Sequence, residues 1–502
     1  MQTQRIESFQ TIRISPTQKD GLLLWLIVLA VGVICLLIYP VMRLGFTYQI
    51  NYNEGLYAYH QQDAAENRLM YGSAVADPLT PVNIPPVSLF LVGIPGKILG
   101  NYLITGRIIS LLSLAALACL GACILRSKGT RWKAGLFCGL AVMALIAGYA
   151  PEYVGMNDPH LLALAFSFYG LLIYAKYVET RFGLIASSLL LMIGLFTAPF
   201  AAAALLAVCL DILLRSPKRG IIWLGATAVF FLIGNALTSF QINQILLDQL
   251  PLKGDFSISR FLNQVNRLDF PFLILLLLSG WTALLAVFEQ RTRIFAFYLA
   301  AALLIGILLS GGNPGGISQL FDLFAAMGLV MGLAVNRIPT TFKQIPGFYR
   351  AAVWCLAPLL TFLLLFHIPE RLPRANSFNL LSSVQNGFLQ DAAYLQKYPG
   401  RAYCENLLLC FLADKPLEMD ALSSSDLAFR GRTDENLLLL IFESHQFDIV
   451  QLNRPLSDNL SQADYSPDIL KSGSMTQNMR IAIARNYRVD RKTTSGVFYR
   501  PR

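Results

Sequence analysis

Apolar runs of about 17 to 25 residues, separated by short polar or basic connectors, recur from Gly21 to about Ile368 and then stop. A helix of ~20 apolar residues crosses a ~30 Å hydrocarbon core, so each run predicts a transmembrane helix. The runs lie near 21–41, 103–125, 134–150, 160–178, 183–198, 200–214, 220–240, 271–288, 294–311, 319–335 and 351–368, which makes about eleven spans. A further apolar stretch, 84–100, is broken by Pro85, Pro86 and Pro95 and leaves two placements open, crossing the bilayer or lying along its interface. From Pro369 to Arg502 the pattern changes to mixed charges, short apolar stretches and turn residues. There "NGFLQDAAYLQKY" and "DENLLLLIFESHQ" predict helices and "FDIVQL" predicts a strand. The expected fold class is an all-α polytopic membrane domain over 21–368, preceded by an N-terminal segment 1–20 and followed by a small α/β domain over 369–502.

Composition agrees with the bilayer. Of 502 residues, 55% are hydrophobic and only 14% charged, and the mean hydropathy is +0.53, too apolar for a chain that must cover its whole surface with polar groups. The net charge of +10 is read as topology and not as a nucleic-acid site, because the basic residues gather in short connectors such as "RSKGTRWK", "RSPKR" and "EQRTR". Placing those connectors in the cytoplasm puts the N-terminus inside, the loop 42–102 outside and the tail 369–502 outside. No small-residue cleavage site follows the first run, so it is expected to be retained as a span. Six of the 8 cysteines lie in apolar runs. Cys404 and Cys410, in "CENLLLC", can pair if the tail faces an oxidising compartment, but six residues along one element rarely bring two Cα atoms within bonding range, which favours two thiols.

On this topology Glu54, Asp63, Asp158 and Asp322 all face the outer side. Carboxylates at a membrane boundary lose hydration and persist mainly where they line a wet cavity and meet a partner or substrate. Taken singly, each also reads as a solvated loop residue or a cap, and Asp158 before Pro159 suits a helix start. The order of motifs resembles the GT-C superfamily of polytopic glycosyltransferases, which take sugars from polyprenyl-phosphate carriers. The resemblance runs through "NYNEGLYAYH", "VNIPPVSLFLVGIPGKILG", "GRIISLLSLAAL", "MNDPHLLALAFSFYGLLIYAKY" and, in the tail, "YPGRAYCENLLLCFLADKPLEMDAL". It implies a catalytic first outer loop, with Glu54 as the acid that acts as base or orients the acceptor, and Asp158 as the second acid. It also implies substrate contacts at Asn53, Tyr57, Asn83 and Asp322. Better-known relatives carry Asp-Glu where this chain has Asn53-Glu54, so the base role falls on Glu54.

Glycosyl transfer passes through an oxocarbenium-like state. It needs a carboxylate to take the proton of the attacking hydroxyl and positive charge for the departing phosphate. Glu54 is the candidate base, and Arg107, Arg260 and Arg267 are candidate phosphate ligands because a guanidinium binds phosphate oxygens in pairs. Lys253 reads better as an interfacial anchor. Asp158 and His160 are spaced to share a divalent metal ion, although a lone histidine at a helix start more often hydrogen-bonds. The tyrosines of the first loop either stack on a sugar or form an interfacial aromatic belt. The expected partners are a polyprenyl-phosphate sugar donor, an envelope glycan, lipid or protein acceptor, and membrane lipids. A lipid or polysaccharide transporter and a non-catalytic glycan-binding subunit are the rival readings. The nearly uncharged mid-span stretches and the lack of internal repeats count against the transporter.

Overall fold

The computed structural model of the protein describes residues 16–68, 71, 79–82, 84–239, 256–312, 316–337, 347–373, 376–465, 471–472 and 474–502. Asn83 and Lys253 lie outside the described residues. Among those described, eight helices are long and apolar enough to cross a membrane. They are α1 (Pro16–Arg43), α4 (Tyr102–Ser127), α5 (Trp132–Tyr149), α6 (His160–Tyr177), α9 (Pro217–Leu237), α11 (Phe270–Val287), α12 (Arg293–Ser310) and α13 (Phe321–Arg337), the last led in by a 3-10 turn. The expected spans near 183–198 and 200–214 form shorter helices, α7 (Arg181–Leu195) and α8 (Ala202–Arg215), divided where Pro199 opens a 3-10 turn. The last expected span lies in α14 (Gly347–Arg371).

α13 is the axis of the bundle, since 94% of its spanning stretch is buried; the outer helices turn leucines and isoleucines such as Leu232, Leu277 and Leu304 outward instead, as a lipid-facing surface requires. At the end carrying the basic connectors, buried Asp211 accepts hydrogen bonds from Tyr174 (2.6 Å) and from Arg293 Nε (2.9 Å), tying α8 to α6 and α12.

Two helices of the segment 42–102, α2 (Tyr52–Ala65) and α3 (Pro86–Leu99), pack against each other at the other end. At 14 residues, α3 is ~21 Å long, less than the hydrocarbon core. Its outward side carries Ile94, Ile98 and Leu99. The rest of that end is formed by a short helix, α10 (Ile258–Val265), and by the tail.

The tail begins with α15 (Ser377–Gln396) and builds a four-stranded sheet of order β1-β2-β6-β5, with β1 (Ala402–Cys404), β2 (Ile449–Leu452), β5 (Tyr487–Thr493) and β6 (Gly496–Pro501). β1 and β2 run parallel, with Tyr403 opposite Val450, and the other pairings are antiparallel. A two-stranded ladder, β3 (Lys471–Ser472) with β4 (Met475–Thr476), stands apart. Helices α16 (Leu407–Leu412), α17 (Ala421–Phe429), α18 (Glu435–Glu443) and α19 (Gln477–Asn486) complete the unit. Its core is built on Tyr403, Leu438, Phe442, Phe447, Val450 and Met479. A second cluster joins Leu408, Leu395 and Phe498 of the tail to Ala58 of α2 and Leu103 of α4, so the tail is packed onto these two helices.

Cys404 and Cys410 form a disulfide, with Cα atoms 5.9 Å apart. The expectation of two thiols is corrected here. The cysteines lie on two elements, the end of β1 and the helix α16, and the chain reverses between them. Cys404→Ser is expected to lower stability by roughly 2 kcal/mol, the loop-closure value for so short a ring. Thermal unfolding in detergent measures it, and labelling of both thiols in the unreduced native protein would contradict the bond.

Candidate active site

The sequence that follows α1 carries its own start signal for α2. Asn51 is extended (φ −143°) and its side chain accepts the N–H of Asn53, while Glu54, three residues on, accepts the backbone N–H of Ile50 at 2.8 Å. This is a variant of the capping box, in which a cap residue and the acid three places later satisfy the free N–H groups of a helix start.

Glu54 does more than cap. Its carboxylate receives Arg107 in a two-pronged contact, Nε to Oε1 at 2.9 Å and Nη2 to Oε2 at 2.8 Å, and Oε1 also accepts the N–H of Asn157 at 3.0 Å. Both side chains are completely buried. The remaining three N–H groups of Arg107 go to the carbonyls of Arg43 (3.3 Å), Phe46 (2.6 Å) and Tyr48 (2.7 Å). A guanidinium has five N–H donors, and all five are engaged. Glu54, expected as base or orienting carboxylate, and Arg107, expected as a phosphate ligand, are thus brought together by the fold. Each is the other's partner, and neither has an open position in this arrangement.

A second loop, 150–159, is fastened beside the segment 43–54. Arg43 Nη2 donates to the carbonyls of Pro151, Glu152 and Val154. The side-chain amides of Gln61 and Asn157 bond each other twice, both at 2.9 Å. Gly106 is required for this approach, because a Cβ there would stand 1.8 Å from Asn157 Oδ1.

This fastening delivers Asp158. Its Oδ1 accepts the backbone N–H of His160 at 2.9 Å and also meets the ring Nδ1 of His160, whereas its Oδ2 is buried without a partner. Rings enclose the pair: Phe200 stacks on His160 at 4.2 Å, and Phe321 and Tyr153 meet it edge-on. Burial and then the charge of Asp158 raise the hydroxyls of Tyr57 and Tyr153 above the ordinary tyrosine range, so both stay protonated beside it.

The structure thus gathers Tyr57, Asp158 and His160. Asp322 begins α13 next to Phe321, is bonded by the hydroxyl of Tyr298, and keeps Oδ2 without a partner. Arg267, in the turn after α10, is exposed and its positive charge reaches Tyr153; Arg260 is half-buried on α10. Asn53 is half-buried on α2, and Asp63 pairs with Arg68 at the surface (3.1 Å). Among the described residues no group of three or more His, Cys, Asp or Glu is placed to hold a metal ion. Asp158 and His160 close on each other instead, and no step is assigned to a metal.

Sequence reasoning missed Arg43, Gln61 and Asn157 as the fasteners of the site. The capping signature Asn51-x-x-Glu54 was the available signal for a structural Glu54.

Leaving one partner of a buried ion pair uncompensated typically costs ~3–5 kcal/mol. Arg107→Ala is expected to destabilise by that order, and the Glu54→Gln/Arg107→Gln pair by less than the sum of its single substitutions, read from thermal unfolding in detergent. His60, buried on α2, has its pKa pushed down by burial to about 4. The unfolded chain binds this proton from pH ~6.5 downward. Stability from His60 is therefore full above that value and falls as the pH drops toward 4. His60→Gln should flatten that part of the stability profile.

No protein-family model matches the chain, and no curated protein matches it in sequence. In fold it is similar to ArnT from Cupriavidus metallidurans in the apo state, with a TM-score of 0.57, 15% identity and coverage of 96% of this chain and 98% of that one. ArnT bound to undecaprenyl phosphate gives a TM-score of 0.58 at 14% identity, over 97% of this chain and 98% of that one. An Archaeoglobus fulgidus oligosaccharyltransferase, in complex with Zn and sulfate, is more distant, with a TM-score of 0.42 at 14% identity. At such identities the likeness is one of fold, and this chain has the GT-C-like polytopic membrane fold with a small α/β tail.

Proposed function

We propose that the protein is a glycosyltransferase that moves a sugar from a polyprenyl-phosphate-linked donor to a cell-envelope lipid, glycan or protein acceptor, at the outer face of the cytoplasmic membrane. The observation that carries the reading is the likeness in fold, over nearly the whole of both chains, to an ArnT solved with undecaprenyl phosphate bound. A sugar already carried on a membrane lipid calls for a site at the membrane face, and the acids and rings converge at the end of the bundle that the tail covers.

In this reading the Asp158–His160 pair takes the acceptor's proton. Asp158 Oδ1 holds the imidazole and Oδ2 is the unpartnered carboxylate oxygen. The acceptor oxygen attacks the anomeric carbon, the bond from that carbon to the phosphate oxygen breaks, and the phosphate leaves with the electron pair. Arg267, exposed and with its positive charge felt at Tyr153, is the cation that meets the phosphate. Tyr57 lines the sugar position, with Asn53, Asn83 and Asp322 as further contacts. Glu54 and Arg107 act at one remove, by holding the two loops against each other. The N-terminus is cytoplasmic and the tail extracytoplasmic.

The test is transfer of radiolabelled sugar from a panel of polyprenyl-phosphate sugars by the purified protein in nanodiscs, with envelope extract as acceptor. Asp158→Asn is expected to lower kcat by about 100-fold or more, the usual range for loss of a general base. Arg267→Ala is expected to raise KM for the donor. Undiminished transfer in Asp158→Asn would sink the assignment. Absence of transfer from every donor by folded protein would favour the transporter or glycan-binding subunit.

A further inference from the structure

α2 presents different sides to two different neighbours. Glu54, Tyr57 and Gln61 face the loop that carries Asp158, whereas Tyr59, His60 and Asp63 line a cleft of about 800 Å³ closed on its far side by residues 411–417 of the tail. We propose that this cleft binds the saccharide part of the acceptor, as a neutral oligosaccharide lying between α2 and the tail. The proposal rests on the glycosyltransferase reading for the word acceptor, but its chemistry stands on the cleft alone.

Three observations define that chemistry. The first is shape: the volume lies in the range of ligand pockets, ~300–1,000 Å³, and the cleft is walled by rings. Phe411 sits edge-on to Tyr59 at 5.0 Å and to Tyr102 at 6.2 Å, which supplies the flat apolar surfaces on which sugar faces rest. The second is charge. Every described cation in the wall is already engaged: Arg68 by Asp63 and Glu66, and Lys415 by the carbonyls of Tyr398 and Gly400. Nothing in the described wall is left to neutralise a phosphate, so a lipid phosphate is disfavoured and an uncharged ligand is favoured. The third is an unmet hydrogen bond. His60 is only 3% exposed, lines the cleft, and its Nε2 has no partner. Its burial keeps the ring neutral, so it exchanges a hydrogen bond with a hydroxyl without requiring a counter-charge.

The cleft and Asp158 lie on different sides of one helix, a separation of ~10 Å. A short chain of sugars, rather than a single one, has the reach to occupy the cleft and still offer a hydroxyl at the other side of α2. The tail is thereby assigned a recognition role as well as a covering one.

The experiment is saturation-transfer NMR on the full chain in nanodiscs, with maltotriose, chitotriose and mannotriose as neutral probes and inorganic phosphate as the charged one. Leu412→Trp fills the cleft from the tail side, and Tyr102→Ala removes a wall ring from the other. At least one trisaccharide is expected to bind, with affinity lowered fivefold or more in both variants. No binding of any trisaccharide, or binding that survives both variants, overturns the proposal. Phosphate binding that is lost in Leu412→Trp also overturns it. Cleft-dependent trisaccharide binding by a protein that transfers no sugar would keep the site and discard the enzyme reading. Transfer whose acceptor KM is unmoved by both variants would do the reverse.

Discussion

The end of the bundle that the tail covers depends on one buried ion pair. Glu54 and Arg107 are each fully withdrawn from solvent, and either charge alone would cost several kcal/mol to bury. Together they meet the cost only because every remaining hydrogen-bonding position is also filled. Arg107 gathers three carbonyls from the segment 43–48, which has no secondary structure of its own beyond the end of α1. Glu54 gathers two backbone N–H groups, one from each outer loop. The pair thus converts two irregular loops into one rigid platform at the mouth of a helical bundle.

The remaining geometry follows from that platform. With α2 held at its first turn, Gln61 meets Asn157 two turns later and Tyr57 comes to lie beside Asp158. The opposite side of α2 is left for the tail. α16 crosses it at Gly55, where a Cβ would stand 2.4 Å from the backbone nitrogen of Leu408, and that nitrogen is bonded to Gln49 at 2.9 Å. The Cys404–Cys410 bond secures α16 to the sheet, while the hydroxyl of Tyr52 bonds Asp420, the cap of α17. Loop, bundle and tail are thereby tied at residues within a few positions of Glu54.

Much of this was legible in the sequence. The apolar runs located the membrane helices, Pro199 marked the break between α7 and α8, and the predicted strand "FDIVQL" of the tail contains β2. The acids singled out on the outer side include those that the fold concentrates. Their partners were not legible. Glu54 read as a base and Arg107 as a phosphate ligand because sequence shows charge but not neighbours, and the fold pairs the two. Cys404 and Cys410 read as thiols on one element because a strand-to-helix reversal within six residues leaves little trace in hydropathy.

The division has a physical cause. Transfer of a segment from water to lipid is a local quantity, summed over some twenty consecutive residues, so the apolar helices and the candidate acids were legible in the sequence alone. Whether a carboxylate is a clamp or an open site depends on which groups arrive around it. Glu54 and Arg107 are 53 positions apart, and Glu54 and Asn157 are 103 apart. Only the tertiary structure decided that Glu54 would be saturated and that Asp158 would keep one oxygen unpartnered.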